Sequence, residues 1–68
     1  MEEINRDKLK HLFGHWIEHN ENHCDSFEKW IPQLEDAGFQ QAAEYVSAAS
    51  SEMEQSTDML RKALESLE

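Results

Sequence analysis

The sequence predicts an all-α fold, a long antiparallel helical hairpin. Three observations predict it: two apolar stripes at heptad spacing, a single glycine placed between them, and no run of strict apolar–polar alternation to suit a strand. Before the glycine, Leu9, Phe13, Trp16, Asn20, His23, Phe27, Trp30 and Leu34 alternate steps of four and three. After it, Phe39, Ala42, Val46, Ala49, Met53, Ser56, Leu60, Ala63 and Leu67 do the same. Two such stripes joined by a short turn fold back on each other.

The first helix is expected over residues 6–36, with Asn5 as N-cap. Gly14 weakens it by about 1 kcal/mol against alanine. Pro32 removes a backbone donor and crowds the carbonyl of Glu28, which predicts a kink there. Residues 20–26 are poor in helix formers, and Asp25 with Glu28 can form a capping box. A three-helix bundle with a break near residues 22–25 is therefore the architectural alternative. The heptad phase runs through the weak segment without a slip and favours one helix. Gly38, after Leu34-Glu35-Asp36-Ala37, reads as the residue just past a helix end. The turn is expected at residues 37–39 and the second helix at residues 40–66.

Leu12, Ile17, Cys24 and Ile31 flank the first stripe and widen its apolar arc to roughly 140°. That is more than a two-helix seam covers. The expectation is a homodimer, two hairpins pairing into a four-helix bundle, or a partner helix on the apolar face, with Trp16 and Trp30 as anchors.

The chain has 68 residues, enough for one domain, and a formal net charge of -9. Arg6, Lys8, Lys10, Arg61 and Lys62 sit near its two ends; between Glu18 and Glu54 the only cation is Lys29. Nucleic acid and anionic membranes are disfavoured as partners, and cations or basic protein surfaces are favoured. No stretch approaches the roughly 20 apolar residues that span a bilayer. The start, Met1-Glu2-Glu3-Ile4-Asn5, lacks the basic and apolar regions of a secretory leader. With Cys24 the single cysteine, a cytoplasmic setting is expected.

The chemistry lies in one run. His11, His15, His19 and His23 stand four residues apart, and no histidine follows. Helical residues at that spacing are neighbours, so two imidazoles can share a metal ion. Each step also turns the ladder by about 40°. His23 then falls on the expected core stripe, His19 at its edge, and His15 and His11 outside. The protected pair is His19 with His23, with His15 assisting. Pairing about Gly38 puts Glu52 opposite as a carboxylate ligand. Such a set suits a divalent transition metal such as zinc or nickel. In the competing reading, Asn20, His23 and Ser56 form a polar layer that fixes register and binds nothing. A His23 buried neutral would also weaken the fold in acid. Cys24 reads as a small buried hydrophobe. No phosphate loop, nucleophile elbow or C-x-x-C motif suggests an enzyme.

The run HWIEHNENH, His15 to His23, resembles the leading helix of a family of small uncharacterised prokaryotic all-helical proteins. The resemblance takes in most of the chain, including the turn at Gly38, and implies the fold without an activity. A likeness to hemerythrin-type helices is partial. Those domains take ligands from four helices, whereas a second histidine-bearing helix is missing here.

Overall fold

In the computed structural model, which describes residues 4–68, helix α1 begins where Asn5 supplies its cap. Asn5 is extended (φ -138°, ψ 166°), and its Oδ1 accepts the Lys8 N–H at 2.9 Å. That satisfies one of the free donors at the helix start, and Asp7 in the first turn suits its positive end. The acidic start at residues 1–3 lies outside the described residues. From there α1 runs unbroken over Arg6–Asp36, 31 residues, straight through residues 22–25. The three-helix alternative is therefore not what forms. Pro32 leaves one gap in the hydrogen-bond ladder without ending the helix, which continues for another turn.

Gly38 ends it. With φ at 89°, this residue adopts the left-handed conformation that glycine takes without a steric cost. The Phe39 N–H reaches the Leu34 carbonyl at 2.8 Å and the Gly38 N–H reaches that of Glu35 at 3.1 Å. These two bonds make a Schellman closure, which satisfies carbonyls that the helix end leaves free. Helix α2, Gln40–Glu65, starts at once, with Phe39 at its cap position. The two helices pack along their length as a hairpin 50 Å long and less than 20 Å across. No strand occurs among the described residues.

The seam differs from the expected stripes by one residue at every second position. In α1, Phe13, Asn20, Phe27 and Leu34 stay on it, but Ile17, Cys24 and Ile31 replace Trp16, His23 and Trp30. In α2, Val46, Met53 and Leu60 stay, while Ala43, Ser50 and Thr57 replace Ala42, Ala49 and Ser56; near its end Ala63 and Leu64 are both half-buried. The physical cause is space. Small side chains on α2 let the helices approach closely, and the Cys24 thiol reaches the Ser50 carbonyl at 3.7 Å. Seven-residue steps from that contact set Ile17 level with Thr57 and Ile31 level with Ala43. Indole rings do not fit so narrow a seam. The buried hydrophobic residues among the described residues are consequently few: Ile17, Cys24 and Ala43. Thr57 is also buried, and its hydroxyl donates to the Met53 carbonyl at 2.7 Å.

Candidate functional site

Rotation of the seam decides where the histidines lie. All four are exposed. His23 is on the open flank of α1 and not in the core, because Cys24 holds the place beside α2. With His23 exposed, the expected acid sensitivity loses its cause. The expected polar layer does not form within the chain either. Asn20 is half-buried at the seam, whereas His23 and Ser56 face outward. The polar groups that the seam does bury are Ser50 and Thr57. Their one available signal was the seven-residue spacing of the small residues Ala43, Ser50 and Thr57.

The ladder nonetheless brings two imidazoles together. The Nε2 atoms of His19 and His23 are 3.0 Å apart, with ring centroids at 4.5 Å and planes nearly perpendicular. As a hydrogen bond, this requires one ring to carry its proton on Nε2 and the other to present a bare Nε2. The same separation suits chelation. Two nitrogens about 2.0–2.1 Å from one zinc ion and 3.0 Å apart subtend roughly 94°. His15 stacks farther off, its ring centroid 6.4 Å from that of His19. On the other side, His23 abuts Phe27 at 6.1 Å. Glu52 is level with the pair but exposed on α2. Among the described residues, no three His, Cys, Asp or Glu side chains gather around one point, so Glu52 does not join the imidazoles.

The hairpin also has two unlike sides. An open groove is lined by Glu21, Cys24, Asp25 and Glu28 of α1 and by Glu54, Thr57, Asp58 and Arg61 of α2. Arg61 bridges it, 3.5 Å from Glu21 and 2.8 Å from Asp58. Burial pushes the Cys24 thiol pKa upward, and the Glu54 carboxylate adds to the shift. A thiol so placed is a poor nucleophile.

At about 100° per residue, the opposite flanks of both helices share the other side. That side carries Leu12, Trp16, His19, His23 and Trp30 from α1, with Ala42, Tyr45, Ala49, Ser56 and Met59 from α2. It has no Asp, Glu, Lys or Arg in α1 between Leu9 and Leu34, and only Glu52 in α2. Trp16 is 42% exposed, Trp30 56%, Met59 59% and Tyr45 70%. A chain rich in acid has thus kept one long side with a single carboxylate. No helix among the described residues is long and apolar enough to cross a membrane.

Comparison with known proteins gives one family: a domain of unknown function, DUF8180, matches residues 9–67. No curated protein and no solved structure matches the chain.

Proposed function

The chain belongs to the DUF8180 family of domains of unknown function, and we propose that it works as a self-docking helical module. A second copy covers the aromatic side, giving a dimeric four-helix bundle. The observation that carries this reading is the exposure of Trp16 and Trp30 on a side whose one charge is Glu52, over a hydrophobic core that among the described residues is reduced to Ile17, Cys24 and Ala43. A two-helix hairpin with so little buried needs a partner for stability. Charge selects that partner. With a formal net charge of -9, two copies repel least when they meet on the side whose single carboxylate is Glu52. A basic partner would be drawn to the acidic groove instead. The reducing cytoplasm suits a chain whose single cysteine is a free buried thiol.

Sedimentation of the untagged protein tests the reading. A mass of two chains at micromolar concentration is expected, falling to one in Trp30→Glu. A wild-type hairpin that stays helical and monomeric at high concentration would refute it. Heterologous capture by another helix, with no self-association, would replace the second copy by a different protein. A second reading, binding of a divalent transition metal such as zinc or nickel, is favoured by the 3.0 Å approach of His19 and His23.

A further inference from the structure

The geometry points to one divalent transition-metal ion shared by two copies and held by His19 and His23 of each. The inference rests on the docking reading and adds a ligand and an axis of pairing. Its first ground is that the imidazole pair is prearranged and incomplete. Both Nε2 atoms already stand at chelating separation, yet the chain offers no third ligand among the described residues. A closed tetrahedral site needs four donors.

The second ground is where the pair sits. His23 lies on the flank next to the seam and His19 one step farther out, so both belong to the aromatic side. His15 is turned to the far side of α1. Along that aromatic side, the pair occupies the centre of a self-complementary pattern. His19 and His23 share a midpoint at residue 21, and so do Leu12 and Trp30, and Trp16 and Ser26. A two-fold axis crossing α1 at that level lays the helices antiparallel. It sets Trp30 against the partner's Leu12 and Trp16 against the partner's Ser26. A two-fold contact must match each residue to its counterpart in both directions. Here a large ring meets a small or aliphatic side chain each time, and four imidazoles converge at the middle.

Four neutral imidazoles select the later first-row ions, nickel to zinc, over magnesium or calcium. The shared site therefore takes a borderline metal and not a hard cation.

Calorimetric titration of the untagged, chelator-treated full chain with zinc chloride and with nickel chloride tests the inference, paired with sedimentation in each state. One ion per two chains on a dimer is expected. His19→Ala and His23→Ala should each weaken binding at least tenfold while the dimer persists. His15→Ala should change neither. A dimer that binds no metal would overturn the shared site and leave the docking reading intact. One ion per chain would overturn the sharing. A monomer that dimerises only with metal, at one ion per two chains, would uphold the site and overturn metal-free docking. A monomer under all conditions would overturn both.

Discussion

The two sides of the hairpin are built from the same helices and share one narrow seam, yet they face water on opposite terms. The acidic side is finished. Its carboxylates are solvated, and Arg61 bridges two of them. The aromatic side differs, with indole rings exposed and Glu52 its one charged residue. Hydrophobicity alone does not explain the difference, since apolar residues at heptad spacing serve both seam and flank. What separates them is size. Opposite the small residues of α2 the seam took Ile17, Cys24 and Ile31, and the tryptophans were left on one side. A hairpin that leaves its tryptophans exposed fits the docking proposed above.

Substitutions at matched positions should separate those roles. The largest loss is expected inside the seam. Ile17→Ala removes a buried branched side chain beside Thr57 and should cost about 2–4 kcal/mol, read from urea unfolding. An equal loss from Trp16→Ala in stability measured at very low concentration would break the distinction between seam and docking side. Trp16→Ala should instead act on assembly, weakening the dimer by about 2 kcal/mol or more, roughly thirtyfold in dissociation constant.

The two glycines should move in opposite directions. Gly38→Ala forces a side chain into positive φ and should cost about 1–2 kcal/mol. At Gly14, a helical site, an added Cβ meets nothing within 4 Å. Gly14→Ala should raise stability by about 0.5–1 kcal/mol, seen as a higher melting temperature. On the acidic side, Arg61→Gln should cost less than about 1 kcal/mol, because its ion pairs are exposed.

The smallest effect concerns alkali. Burial raises the Cys24 thiol pKa in the folded state. The stability contributed by holding it neutral is present below the ordinary thiol range and is lost as pH rises through it. Denaturant midpoints should therefore fall on going from neutral to alkaline pH, and Cys24→Ala should remove that part of the fall.

Sequence reasoning reached the hairpin because its stops and starts are chemically local. Asn5 can cap only a helix that follows it, and Gly38 at the end of an apolar repeat leaves little choice. The seam's rotation was not legible in the same way. Phe13, Asn20, Phe27 and Leu34 belong equally to two heptad phases, one completed by tryptophans and the other by Ile17, Cys24 and Ile31. The size of the indole rings draws the eye to the first, although the second is the more apolar set. The space between the two helices, set by Ala43, Ser50 and Thr57 on α2, decides for the second. The histidines inherited that error. Their spacing along α1 placed His19 beside His23, but the side of the molecule they occupy depended on the rotation.

The Schellman closure at Gly38 has a kinetic consequence. It pins Leu34 and Phe39 together when almost no chain separates them, so the loop entropy of the first contact is small. Each later layer then adds beside one already formed, as teeth do in a zipper. Folding should spread from the turn toward the open end, and the hairpin should undo itself in the reverse order.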